Sequence, residues 1–143
     1  PTLNVIFRLT NRLSHEHAST SCLNLGLKFR EYISNNLDKL HHTNKLIDEL
    51  AQAQNPLYAW GIGSEFLYLY ENTPLKKCNL AGLIDVNTYK QSNFTVEGRS
   101  IAPPSILTDA SRNAKLIITA IAYKKTIGKD LEKISYKGQI IDI

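Results

Sequence analysis

Leu57-Tyr58-Ala59-Trp60-Gly61-Ile62-Gly63-Ser64 is the stretch that decides the fold. An apolar run ending on glycine reads as a buried strand, and the G-x-G that follows opens at Ser64 into a short helical period reaching Tyr70. A glycine pair between strand and helix permits a tight turn and lets backbone N–H groups approach a phosphate at the helix start. Leu80-Ala81-Gly82-Leu83-Ile84-Asp85 reads as a second strand. Its Asp85 stands 22 residues beyond Gly63, about where a dinucleotide fold places the acid that binds a ribose hydroxyl. Further out, Pro103–Leu107 starts a helical turn with proline at its favoured early positions. Lys115–Ile121 (KLIITAI) is a near-continuous apolar run, as in a strand covered on both faces. Thr126–Ile134 is a helix ended by Gly138, and Gln139–Ile143 closes as a last strand. Strands alternating with helices in this order predict a Rossmann-like α/β domain over 56–143, its sheet mostly parallel.

On the other side of Asn55-Pro56 the pattern changes. Pro56 cannot continue a helix and pushes Asn55 out of helical geometry. Leu3–Leu9 (LNVIFRL) reads as a strand and Ser14–Ser21 as a polar loop. A helical period runs from Cys22 to Gln54, best formed from Leu27 onward because Gly26 weakens its start. Ile33, Leu37, Leu40, Ile47 and Leu50 form a narrow apolar stripe, with Asn44 at the seam position between Leu40 and Ile47. Such a stripe demands a cover: the following domain, a missing one, or a second copy in a homodimer through the helix 27–54. The division expected is therefore 1–55, a strand, loop and long helix, and 56–143, the α/β domain.

Composition narrows the classes. The 143 residues are 43% hydrophobic and 21% charged, too apolar for a disordered chain. No apolar run reaches the roughly 20 residues needed to cross a bilayer, and Pro1–Leu9 lacks the features of a signal peptide. The net charge of +4 does not demand nucleic acid and suits an anionic small molecule. Cys22 and Cys78 stand far apart and neither lies in a C-x-x-C pair. That argues against a disulfide scaffold, a zinc site or an iron–sulfur cluster, and for free thiols in a reducing, cytoplasmic setting.

The candidate ligand residues gather at the strand ends. The N–H groups of Ile62, Gly63 and Ser64 are placed for an anion, and Lys90 and Arg99 bracket the loop after Asp85, one a point charge and the other a fork for a diphosphate. Two residues oppose a dinucleotide. Phe66 occupies the third-glycine position and would hold the helix off the strand, and Glu65 in the first helical turn would repel a phosphate. His15 and His17 flank Glu16, but the spacing is not H-E-x-x-H and reads as a solvated loop. His41-His42 share no helix face. Lys125, Lys129, Lys133 and Lys137 read as a solvated face.

Four segments carry a resemblance. Trp60-Gly61-Ile62-Gly63 follows a strand, and Asp85-Val86-Asn87-Thr88-Tyr89-Lys90-Gln91-Ser92 ends the next. Gly98-Arg99-Ser100-Ile101-Ala102-Pro103-Pro104-Ser105-Ile106-Leu107 follows, and Ala120-Ile121-Ala122-Tyr123 ends a buried strand. In order and spacing, residues 56–143 resemble the C-terminal domain of the S-adenosylmethionine-dependent sugar C-methyltransferases. Thr88 stands where the family has proline, Ser92 where it has glycine, and Ile121 where it has tryptophan. The resemblance implies a Rossmann-like fold and a nucleotide-linked sugar as ligand, with Tyr123 joining the binding residues. It also implies a histidine base near the domain junction, for which His15 and His17 are the candidates. Nothing before residue 56 supplies a glycine-rich cofactor loop. S-adenosylmethionine is therefore expected only in a separate, preceding domain, and this chain alone is not expected to be an active enzyme or to hold a metal. The same layout also resembles small nucleotide-sugar or dinucleotide-binding proteins of polysaccharide biosynthesis, and a degenerate domain that binds nothing is the third reading.

Overall fold

The computed structural model describes the backbone of residues 15–143 and the side chains of residues 24–143. The proposed strand Leu3–Leu9 lies outside the described residues. Helix α1 spans His15–Ala53, starting before the expected Leu27 and taking up most of the stretch read as a polar loop. That stretch contains no proline or glycine, and serine and threonine inside a helix cost only a few tenths of a kcal/mol each. The helix also passes through Gly26, at a local cost of about 1 kcal/mol. It stops where Gln54 takes a left-handed conformation, φ 52°, just before Asn55-Pro56.

The chain divides into two compact units between Leu40 and His41, within the helix and earlier than the change of composition at Pro56. In the first unit Ile33 and Leu37 of the stripe are exposed and Leu40 is half-buried, and Leu25, Phe29 and Tyr32 beside them are exposed too. In the second, Ile47 and Leu50 are buried in the core beside the sheet, with Leu46 and Ala51 packed at its edge. The following domain therefore supplies the cover for the C-terminal end of the stripe. Asn44 is half-buried, and its Oδ1 lies out of water without a hydrogen-bond partner.

The second unit is an α/β domain of Rossmann-like type. Strands β1 (Leu57–Trp60), β2 (Leu80–Ile84), β3 (Thr95–Val96), β4 (Arg99–Ala102), β5 (Lys115–Ile118) and β6 (Gln139–Ile141) form a single sheet in the order β3-β4-β2-β1-β5-β6. Every pairing is parallel except β3 with β4. The chain builds outward from β1 to one side and then crosses to β5 on the other, which makes the β1/β5 boundary the topological switch point. Alternation along the strands sends side chains to two cores. Leu57, Ala59, Leu83 and Ile117 meet α1 and helix α2 (Ser64–Asn72) on one face. Trp60, Ile84, Leu116 and Ile118 meet the short 3-10 helix Pro104–Asp109 and helix α4 (Lys124–Lys133) on the other. Phe66, fully buried and stacked on Tyr70 with ring centroids 5.5 Å apart, fills the interface between α2 and the sheet.

A helix and a two-stranded hairpin between β2 and the Pro104–Asp109 turn were not expected. Helix α3 (Thr88–Asn93) follows β2, capped by Asn87, whose side chain accepts from the N–H groups of Tyr89 and Lys90. The β3–β4 hairpin follows, turning through Glu97 and Gly98, both with positive φ. The run expected as a strand to Ile121 stops at Ile118, because Ile121–Tyr123 turn into a 3-10 helix that feeds α4.

Candidate functional site

The site grows from the turn after β1. Gly61 has φ +102°, and a Cβ there would lie 2.4 Å from that of Ala120. Glycine is therefore required on both counts: conformation, and the close approach of the β1 and β5 ends. The two ends are stitched together. The Trp60 carbonyl accepts from the Thr119 N–H at 2.9 Å, and the buried Thr119 hydroxyl sits 2.6 Å from the Gly61 carbonyl oxygen and 3.1 Å from that of Trp60.

Asp85, buried at the end of β2, is the hub of the neighbouring loop. Its Oδ2 accepts from the Ile62 N–H at 3.1 Å and from Lys90 Nζ at 2.7 Å, and its Oδ1 accepts from the Asn87 N–H at 3.0 Å. Lys90 also donates to the Ile62 carbonyl at 2.7 Å, and Gln91 Nε2 donates to the Asp85 carbonyl at 2.7 Å. Asp85, Asn87, Lys90 and Gln91, the polar residues of the motif that carried the resemblance, thus hold two adjacent loops rigidly to each other. Asn87 starts α3, and Thr88 takes the first helical position, where proline is favoured in general.

A cleft of about 550 Å³ opens over these loops, lined among others by Gly61, Gly63, Asp85, Lys90, Ala120 and Tyr123. It lies at the C-terminal ends of β1, β2 and β5, where open α/β sheets bind ligands. The glycine turn, the end of β2 and the segment after β5 therefore meet at one edge of the sheet. Exposed Val86 and Tyr123 form its lips. On the far side of the α2 start lies a smaller, mostly apolar groove of about 360 Å³, lined by Thr43, Tyr68, Leu69, Ile118 and Ile121. Glu65 lines both.

Several expectations change in detail. Of the three N–H groups assigned to an anion, that of Ile62 is spent on Asp85 and that of Gly63 on the Gly61 carbonyl at 2.9 Å, leaving that of Ser64. Asp85 and Lys90 line the cleft but are engaged with each other, so neither presents a free charge. Arg99 is not at the cleft. It begins β4, which runs parallel to β2, and its Nη1 donates to the carbonyl of Leu80 at the start of β2, 3.0 Å away. That is the opposite end of the sheet. The backbone of His15 and His17 lies in the first turn of α1, helical and not a loop, and their side chains lie outside the described ones. Lys125, Lys129, Lys133 and Lys137 are exposed as expected. Sequence reasoning missed Thr119 and Ala120 as partners of the glycine turn, and Thr126 and Asp130 of α4 as cleft residues. A small residue opposite Gly61 leaves no signal in one sequence.

Among the described residues no group of three or more His, Cys, Asp or Glu is placed to hold a metal ion, and no helix is long and apolar enough to cross a membrane. Cys78 is buried and free, and its surroundings push the thiol up to about 11, mainly by desolvation, so it is a packed side chain and not a nucleophile. No protein-family model, curated protein or solved structure matches the chain.

Proposed function

We propose that residues 56–143 are the ligand-holding domain of a sugar C-methyltransferase-like protein, and that the cleft at the switch point takes a nucleotide-linked sugar. The observation that carries this reading is the cleft itself. It sits at the β1/β5 boundary, its floor is a turn only glycine can make, and one wall is the hydrogen-bonded segment from Asp85 to Lys90. In this reading the domain binds and positions, and the methyl donor is held by a separate domain. A cytoplasmic setting goes with it, since the free thiol of Cys78 suits a reducing interior. The uncovered apolar face of α1 between Leu25 and Leu37 supports the pairing of two copies through that helix, with the interface N-terminal to the part that Ile47 and Leu50 bury.

Calorimetry with UDP-glucose tests the ligand. Binding is expected, and Gly63→Val is expected to abolish it without unfolding the domain. Gly63 has ordinary φ and open space at its Cβ, the nearest neighbour being Glu65 Oε2 at 3.9 Å, so the added methyls enter the cleft and not the core. S-adenosylmethionine is expected to give no heat of specific binding, and a micromolar dissociation constant, about −8 kcal/mol, would contradict the division of labour. Sedimentation tests the pairing: Leu37→Asp should lower the mass in solution, and a wild-type monomer at all concentrations would remove the dimer.

A further inference from the structure

The charges around the cleft do not match a phosphate pocket. Its lining carries three carboxylates, Glu65, Asp85 and Asp130, against one ammonium, Lys90. Lys90 is spent on Asp85 and on the Ile62 carbonyl, and Asp130 accepts from Lys133 at 2.8 Å. Glu65 pairs with no lysine or arginine among the described residues. Its Oε2 accepts from the Ser64 hydroxyl at 2.9 Å. Its own backbone N–H and that hydroxyl hold the carboxyl below the usual range, so it is an anion at neutral pH. The carboxylate therefore stands at the first turn of α2, on the wall between the cleft and the smaller groove, where a ligand phosphate would otherwise come. A phosphate arriving there meets like charge and must displace hydrogen bonds already made. A sugar hydroxyl or ammonium meets an acceptor with lone pairs to spare.

We infer that Glu65 sets the ligand class of the cleft, excluding phosphate from the start of α2 and accepting hydroxyl or ammonium hydrogens from the sugar part of the ligand. This rests on the nucleotide-sugar reading and orients it: the sugar lies against Glu65 and the diphosphate points away from α2. The test is an amide-resolved NMR titration of the wild type and Glu65→Gln with inorganic pyrophosphate, UDP and UDP-glucose at pH 7. Glu65→Gln keeps the shape and removes the charge. Pyrophosphate is expected to shift the amides of residues 63–66 at about tenfold lower concentration in the variant than in the wild type. The wild type is expected to prefer UDP-glucose to UDP, and the variant to lose that preference. Equal pyrophosphate shifts in both proteins, or none in either, would overturn the role of Glu65, as would an unchanged ratio of UDP-glucose to UDP affinity. Should the wild type bind neither nucleotide, the nucleotide-sugar reading falls, and the pyrophosphate arm still decides whether Glu65 excludes phosphate.

Discussion

At the N-terminal end of the sheet, the Tyr70 hydroxyl donates to Glu97 at 2.7 Å, Lys76 reaches both Glu71 and Glu97, and Arg99 holds the start of β2. At the C-terminal end, Asp85 and Lys90 pair at 2.7 Å beneath the cleft. Both ends use acids and bases to fasten a loop to its neighbour, but the surroundings differ. Lys76 and Glu97 are open to water, where ion pairs are screened and contribute little. The Asp85 side chain is only 10% exposed, and its loss would leave buried donors without an acceptor. The two fastenings serve different ends: the one at the C-terminal end fixes the shape of a cavity, and the one at the other end ties the hairpin to α2 and to the start of β2.

Substitutions at the two ends should separate along this line. The largest effect is expected from Gly61→Val, which forces a positive φ on a branched residue and drives its Cβ into Ala120. A loss of about 3 kcal/mol or more in the unfolding free energy is expected by urea titration, or failure to fold. Asp85→Ala should follow at roughly 3 kcal/mol, because it strands Lys90 and the N–H groups of Ile62 and Asn87. Tyr70→Phe at the other end should cost only about 1 kcal/mol, the worth of a single hydrogen bond. If Tyr70→Phe costs more than Asp85→Ala, the contrast is reversed. The smallest effect is a pH effect. The Tyr70 hydroxyl, and then Lys76, hold the Glu97 carboxyl below its ordinary 4.5. A carboxyl lower in the folded state than in the unfolded contributes stability above its unfolded value and loses it as pH falls through the folded one. A slight extra fall in melting temperature on acidification below about 4.5 is expected for the wild type, and less of it for Tyr70→Phe.

The fold was legible where burial is heavy. The runs at Leu57, Leu80 and Lys115 became β1, β2 and β5, since strands covered on both faces must be apolar throughout. Helix α3 was not legible because Thr88–Asn93 carries no apolar period: it exists through the Asn87 cap and buries none of its residues. β4 was hidden because only Ile101 in it is buried. That omission misplaced Arg99: read as loop, it follows Asp85 at the ligand end, but a parallel strand beginning at Arg99 puts it at the other. Of the cleft lining, Gly61, Gly63 and Asp85 were readable from their places after strands, and Lys90 from the loop that follows Asp85. How Asp85 and Lys90 spend their charges on each other was not, because hydrogen-bond partners are set by loop geometry that one sequence does not encode locally.

Amide hydrogen exchange of the chain with and without saturating UDP-glucose locates the ligand on the sheet. Slowed exchange is expected at residues 61–65 and 119–123, around the C-terminal ends of β1 and β5, and unchanged exchange at residues 95–99. Protection confined to the hairpin end, or to neither end while UDP-glucose is shown to bind, would contradict a ligand site at the switch point.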